Sequence, residues 1–218
     1  MGKVKGVLEA FIEAEVRDKE GNLIDKKRFR SRSFVANLLR LLRQMMMRYT
    51  TGATITNQYY VVTSAEPVDV GGTARSIAVF SLNANVATGI MLAGAIEGED
   101  SFGIKVGMGT MTPTPTDYTL QSPINHGTGT NQLSYGSVTF DTIGISGNTT
   151  TLRIIRTFTN NSGSSITVSE IGLIVRIRTS GTSDSYAYIL IARDVVSPSI
   201  NVPNGSTLTI RYVLQTTA

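Results

Sequence analysis

Beyond residue 50 the chain is a series of short apolar or threonine-rich segments, each ended by glycine, asparagine or serine. Pairs such as Gly71-Gly72, Gly147-Asn148 and Asn204-Gly205 are typical of tight turns. Many short strands between such turns indicate a mainly β fold, either an antiparallel β-sandwich or a jelly-roll-like barrel. The predicted strands cover residues 58–64, 76–82, 89–95, 102–108, 133–141, 150–159, 166–178, 185–193 and 206–214.

The first fifty residues have a different pattern. Residues 3–17 alternate between apolar and charged side chains, which predicts a half-buried strand. Residues 18–22 read as a hairpin loop and residues 23–30 as the return strand. Ser33 is predicted to N-cap one amphipathic α-helix from Phe34 to about Tyr49. We therefore predict an N-terminal hairpin plus helix over 1–50, acting in assembly, and a β-sandwich body over 51–218, folding as one cooperative domain.

More than half of the circumference of the predicted helix is apolar, which is wider than a surface helix needs. Its polar stripe consists of Asn37, Arg40, Gln44 and Arg48. A helix of this kind is expected to be wedged between two layers or between two subunits. The candidate subunit-interface residues are Phe34, Leu38, Leu41, Leu42, Met45 and Met46.

Composition excludes several classes of site. The chain has no cysteine, which removes thiol catalysis, disulfides and thiolate metal sites, and its single histidine, His126, lies in a predicted loop without a Gly-x-Ser-x-Gly elbow. The glycines of residues 103–110 lack the Gly-Lys-Ser/Thr ending and the following helix of a phosphate loop. The acidic group Glu97, Glu99 and Asp100 could ligate a hard cation such as Ca²⁺, although an ordinary acidic turn explains it better. We expect no cofactor and no enzymatic activity.

Positive charge is concentrated between Lys26 and Arg48, a segment with no acidic residue. These side chains could neutralise nucleic-acid phosphates with strong salt dependence. They could equally form a solvated face or contact the acidic stretch 9–20 of another copy. The candidate nucleic-acid contacts are Lys26, Lys27, Arg28, Arg30, Arg32, Arg40 and Arg43. We also expect no secretory leader and no membrane-spanning segment.

Several motifs of the second half together resemble a known class of proteins. They are Gly107-Met108-Gly109-Thr110, then Pro113, Pro115, Asp117, Leu120, Pro123 and Ile124, and further on Glu170-Ile171-Gly172-Leu173, Leu190-Ile191-Ala192-Arg193 and Pro203-Asn204-Gly205. This pattern is similar to β-rich virion structural proteins of tailed phages and archaeal viruses, which are tail, fibre, capsid or decoration components. The resemblance covers residues 100–218 best and the first 50 loosely. Its motifs are structural, so it implies no catalytic residues.

The resemblance implies a non-enzymatic virion structural protein that is made in the host cytoplasm. Such a protein would assemble with its own copies and other virion proteins, away from membranes, into a ring, tube or shell. The N-terminal hairpin and the extended segment 112–117 are the expected exchange arms. Two alternatives stay open: a nucleic-acid-contacting virion protein that uses the basic segment, and a receptor- or sugar-binding fibre module. The latter would use an aromatic platform of Tyr59, Tyr60, Tyr118, Tyr135, Tyr186 and Tyr188.

Overall fold

The computed structural model describes residues 7–31, 33–46, 54–56, 59–61, 67–75, 78–81, 91–179 and 186–217. These residues are mainly β, with an N-terminal hairpin followed by one helix, as predicted. The elements in chain order are β1 (Val7–Arg17), β2 (Leu23–Ser31), α1 (Ala36–Met46), β3 (Thr54–Thr56), β4 (Tyr59–Val61), β5 (Ala78–Ser81), β6 (Gly103–Gly107), β7 (Ser134–Tyr135), β8 (Thr139–Phe140), β9 (Gly144–Ser146), β10 (Thr149–Thr159), β11 (Ile166–Arg178), β12 (Tyr186–Val202) and β13 (Thr207–Thr217).

The described strands form two main antiparallel sheets in a sandwich-like arrangement. The first sheet has the order β2-β1-β13-β10-β7, and β8 and β9 also pair with β10. The second sheet has the order β12-β11-β6, and a small separate sheet consists of β3, β4 and β5. The antiparallel prediction is therefore confirmed for these strands.

Alternation along β1 explains how the first sheet meets the core. Ala10, Ile12, Ala14 and Val16 are buried, and their partners across the ladder lie on β13. Because side chains alternate along a strand, the charged residues of β1 lie on the opposite face, where Glu15 is buried beside Arg17 and Arg211 and the others are at least partly exposed. The strands of the second sheet are buried along most of their length, and β11 is accordingly an almost continuous apolar segment.

The helix begins later than predicted. Residues 33–35 do not form a helical turn but run beside β12, where Arg193 donates its backbone N–H to the Ser33 carbonyl and Val35 donates to the Ile191 carbonyl. The prediction that Ser33 caps the helix is therefore wrong, because its backbone is already used by the sheet. The helix begins at Ala36, and residues 47–49 of the predicted helix lie outside the described residues.

Both edges of the second sheet are covered over part of their length by other segments of the chain. Residues 33–35 lie along β12, and on the other side the backbone N–H groups of Met108 and Ile124 link residues 122–124 to β6. Covering an edge satisfies backbone groups that would otherwise accept another strand. The second sheet is thus partly closed within one chain.

Candidate functional site

The residues predicted as a subunit interface, Phe34 just before α1 and the others within it, include one buried side chain and several half-buried ones. Leu41 is fully buried in the core of its own chain, whereas Phe34, Leu38 and Leu42 are half-buried. Met45 and Met46 belong to the last turn of α1, but their side chains lie outside the described residues, as does that of Arg43. Leu39 is 69% exposed. Among the described side chains of α1, Leu39 is the most exposed, and Leu41 anchors the helix to the fold.

Asn37 was predicted to lie on the polar stripe, and the structure corrects this. Its side chain is buried, donates to the carbonyls of Val68 (2.9 Å) and Leu190 (3.3 Å), and accepts from the Val68 backbone N–H (3.1 Å). Buried amides need such partners, and here they tie α1 to two other segments. Arg40 of the same stripe donates to Asn37 Oδ1 at 3.2 Å.

Replacing Leu41 by alanine is expected to lower the free energy of unfolding by about 2 to 5 kcal/mol, because it opens a cavity in the core. The matched control is Leu39→Ala on the exposed side of the same helix, which should change stability by less than about 0.5 kcal/mol. Urea denaturation of both variants measures the difference. Equal effects at the two positions would contradict the placement of Leu41.

The basic residues of β2 lie beside acidic residues of β1 in the same chain. Arg30 lies 2.5 Å from Glu9, and Arg28 lies 3.6 Å from Glu13. Lys27 lies 2.9 Å from Asp25 and also donates to the Ser199 carbonyl. Lys26 is exposed and Arg32 lies outside the described residues. Acidic partners for Arg28 and Arg30 are thus present within the hairpin of the same chain, and another copy is not needed to supply them.

The closely spaced glycines of residues 103–110 surround a buried carboxylate. A Cβ at Gly107 would lie 2.5 Å from Glu170 Oε2, and one at Gly109 would lie 2.6 Å from the same oxygen. Real Cβ atoms do not approach other atoms so closely, so only glycine fits at these two positions. The Gly-x-Gly spacing therefore gives space to Glu170, which lies on β11 and is fully buried.

Glu170 and Arg193 hold the loop 108–123 against the second sheet. Arg193 Nε lies 2.6 Å from Glu170 Oε1, and Arg193 also donates to Asp117 Oδ2 (2.6 Å) and to the Met111 carbonyl. Glu170 in turn accepts from the backbone N–H groups of Gln121 (2.7 Å) and Ser122 (3.2 Å). We call this group, formed by Asp117, Glu170, Arg193 and the two amides, the clasp. The clasp joins three of the motifs on which the resemblance rests.

The segment 112–117 is not the extended stretch that its prolines predict. Thr114 donates both its backbone N–H and its hydroxyl to the carboxylate of Asp117, and Asp117 donates its backbone N–H back to the Thr114 carbonyl. These bonds close a turn, because aspartate side chains readily mimic a backbone acceptor in turns. The turn presents Asp117 to Arg193.

Stability is expected to fall in acid partly because of Asp117. Burial alone would raise the pKa of Asp117, but hydrogen bonds from Thr114 and Arg193 outweigh burial and hold this pKa below the usual value. A depressed pKa stabilises the fold above the unfolded value of about 4, and this contribution is lost as the pH falls through the folded pKa. Asp117→Asn should cost about 1 to 2 kcal/mol at pH 7 and flatten the stability curve below pH 4. If urea denaturation at each pH shows that Asp117→Asn loses stability below pH 4 as steeply as the wild type, Asp117 does not have this role.

Arg156 is a buried cation that sequence analysis did not single out. Its guanidinium donates to the backbone carbonyls of Gly136 (2.8 Å), Phe102 (3.0 Å), Ile104 (3.1 Å) and Glu99, and it lies over the Tyr135 ring. Burial lowers the pKa of Arg156, yet arginine starts so high that it stays charged. A signal was available: Arg156 shares the inward side of β10 with buried Ile154 and Phe158.

His126 has a structural contact that fits a loop residue. Its Nδ1 accepts the backbone N–H of Tyr135 at 3.1 Å, and its own backbone N–H donates to Asp100 Oδ2 at 2.7 Å. Glu99, next in the acidic group, accepts from the Ser101 backbone N–H. Within the described ranges no three His, Asp or Glu side chains are grouped to hold a metal ion.

A third buried polar group links the two sheets. Ser31 at the end of β2 donates to Asp194 of β12 at 2.7 Å, and Tyr212 of β13 donates to the same carboxylate oxygen at 3.0 Å. The two hydroxyls are 2.6 Å apart. Burial, together with the adjacent Asp194 carboxylate, raises the pKa of Tyr212. The group therefore fixes the hairpin to the body of the fold.

The tyrosines of the alternative aromatic platform differ in exposure. Tyr135 is buried and donates to the Ile124 carbonyl, and Tyr188 is half-buried and stacks on Phe102. Tyr118 and Tyr186 are exposed. The side chains of Tyr59 and Tyr60, both on β4, lie outside the described residues.

In the described part of the chain, the first sheet has two open edges. Among the described residues no backbone segment pairs with the outer side of β2 or with the outer side of residues 139–146, which contain β8 and β9. Residues 139–146 are all exposed, and their apolar members are Phe140 (50% exposed), Ile143 (60%) and Ile145 (77%). Leu23 and Ile24 are exposed at the start of β2. We call these segments the β2 edge and the 139–146 edge.

Comparisons of the chain with protein-family models, curated proteins and solved structures found no significant match. In the described part of the chain, no helix is both long enough and apolar enough to cross a bilayer. The function must accordingly be argued from the residues themselves.

Proposed function

We propose that the chain is a non-enzymatic structural protein of a virus particle, which self-assembles through β-rich contacts into a ring, tube or shell. The observation that carries the proposal is the 139–146 edge, where three large apolar side chains lie on an unpaired strand edge. Soluble monomers usually protect such edges with charge, proline or a covering segment. An unprotected apolar edge is therefore best explained by a partner.

The use of the buried polar groups supports a structural role. Arg156 donates to the Phe102 carbonyl, Glu170 accepts from the Gln121 N–H, and Arg193 pairs with Glu170 of the neighbouring strand, so these side chains fix loops and strands in place. Because these buried side chains bond within the fold, they stabilise a fixed surface against which other subunits can pack. The resemblance to virion proteins supplies the viral setting of the proposal, with synthesis in the host cytoplasm and residence in the virion.

Nucleic-acid contact is a weaker alternative for the basic segment. Since Arg28 and Arg30 lie beside Glu13 and Glu9, the positive potential that they present to phosphates is reduced. Sugar binding by an aromatic platform is weaker too, because Tyr135 belongs to the core. The alternatives can be tested by nucleic-acid binding at low and high salt and by a glycan array.

The test of self-assembly is the mass of the purified wild-type protein, measured by light scattering over a wide range of concentrations. We expect a defined mass many times the 23.4 kDa of one chain, reached as the concentration rises. A mass of one chain at every concentration would contradict the proposal.

A further inference from the structure

We propose that copies of this chain pair head to tail, with the β2 edge of one copy beside the 139–146 edge of the next. This inference rests on the proposed self-assembly and specifies its contact. Both edges belong to the same sheet, so each copy carries one edge at each side. A contact between two different edges leaves a free edge at each end, and it therefore closes into a ring or continues as a filament.

The backbone of each edge provides the hydrogen bonds for such a contact. β2 has nine residues and the 139–146 edge has eight, so the two segments are similar in length. In strand addition the main-chain bonds give affinity and the side chains give specificity. Ile143 and Ile145 are exposed in the single chain. Their burial against the neighbour would add a hydrophobic contribution to the binding free energy.

The charges of the two edges favour a contact between β2 and 139–146 over a two-fold contact in which β2 pairs with the β2 of another copy. The β2 edge carries Lys26, Lys27, Arg28 and Arg30 and a single acid, Asp25. The 139–146 edge carries one charged residue, Asp141, which is acidic. Pairing β2 with another β2 would bring like charges together, which destabilises cross-strand pairs. Pairing β2 with 139–146 instead avoids these like charges, and Asp141, which lies 3.6 Å from Arg153 of its own chain, adds a modest attraction.

The strand directions specify the geometry further. Each neighbouring pair along β2-β1-β13-β10-β9 is antiparallel, so β2 and β9 run in the same direction within one chain. When neighbouring copies are related by translation or a small rotation, their contact is therefore parallel. Its ladder would consist of slanted, evenly spaced hydrogen bonds.

The absence of cysteine makes the contact directly testable by cross-linking. We would place one cysteine at the exposed Lys26 of β2 (Lys26→Cys) and one at the exposed Thr139 of β8 (Thr139→Cys), in separate proteins and together in one. A short bismaleimide would then be added to each assembled sample. The control is Leu39→Cys, which places an equally accessible thiol on α1.

Head-to-tail pairing predicts covalent dimers when the two single variants are mixed, and a ladder of larger oligomers from the double variant. Each single variant alone should give no more dimer than Leu39→Cys. Dimers from Thr139→Cys alone would overturn the inference in favour of a two-fold contact. Wild-type assembly by light scattering without the mixed cross-link would overturn the inference alone, whereas a monomeric wild type would overturn the proposed function as well.

Removal of the apolar contact gives a second measurement. The variant Ile143→Lys/Ile145→Lys changes exposed side chains only, so its thermal unfolding should match that of the wild type at concentrations below assembly. We expect the concentration of half-assembly to rise at least about tenfold, which corresponds to about 1.4 kcal/mol. Leu39→Lys is the control and should leave this concentration unchanged. Equal shifts in the two proteins, or none in either, would contradict the inference.

Discussion

Replacing Arg156 by methionine is expected to lower the free energy of unfolding by about 3 to 5 kcal/mol, among the largest effects of any single substitution in this chain. The methionine fills most of the space but donates no hydrogen bond. The carbonyls of Gly136, Phe102, Ile104 and Glu99 would then be left without the donor that joins them. Buried acceptors without partners carry a full desolvation cost.

Arg156→Lys is the matched control, because lysine keeps the charge but cannot reach four carbonyls with one compact ammonium group. The free energy of unfolding of Arg156→Lys should lie between that of the wild type and that of Arg156→Met. Urea denaturation followed by circular dichroism measures all three proteins. A loss of less than about 1 kcal/mol in Arg156→Met would show that water replaces the guanidinium and that the role assigned to it is wrong.

Breaking the clasp is expected to have a similar effect. Glu170→Met removes the acceptor of two loop amides and leaves Arg193, which is 3% exposed, with Asp117 as its carboxylate partner. Removing one member of a buried ion pair costs about 3 to 5 kcal/mol, since the remaining charge is buried without full compensation. We therefore expect Glu170→Met to be much less stable than the wild type.

A double-mutant cycle separates the ion pair from the loss of packing. Arg193→Met alone leaves Glu170 buried beside its two amides, whereas Glu170→Met/Arg193→Met removes both charges together. The double variant should be more stable than the sum of the single losses predicts, by at least about 1 kcal/mol of coupling. Strictly additive losses would mean that the two side chains stabilise the loop independently.

Much of the fold could be predicted because its strands obey simple periodicities. Alternation in β1 and the long apolar segments of β11 and β12 indicated the observed strands. The predicted strand 133–141 is divided into β7 and β8 because the backbone N–H groups of Gly136 and Val138 bond to different segments, at Thr157 and Ala95. The predicted strand 89–95 is reduced, in its described part, to one bridge between Leu92 and Arg176. Such tertiary hydrogen bonds produce no periodic pattern in the sequence, so the sequence does not predict them.

The proposed contact surface was harder to predict. The many apolar residues of the helix predict a subunit interface, yet Leu41 is a core residue and Asn37 of the polar stripe is buried. The 139–146 edge has only three apolar residues in an irregular pattern, so its exposure could not be inferred before the neighbouring strands were placed. The clasp likewise depends on residues far apart in the sequence. Its one local sign was the glycine pair that makes room for Glu170.

We propose that this chain builds an ordered particle through the open edges of its first sheet. The most direct test is negative-stain electron microscopy of the wild type beside the Ile143→Lys/Ile145→Lys variant at the same concentration. We predict rings, tubes or shells of uniform width for the wild type, and dispersed particles the size of one chain for the variant. Absence of ordered particles in the wild type, or identical particles in both proteins, would contradict the claim.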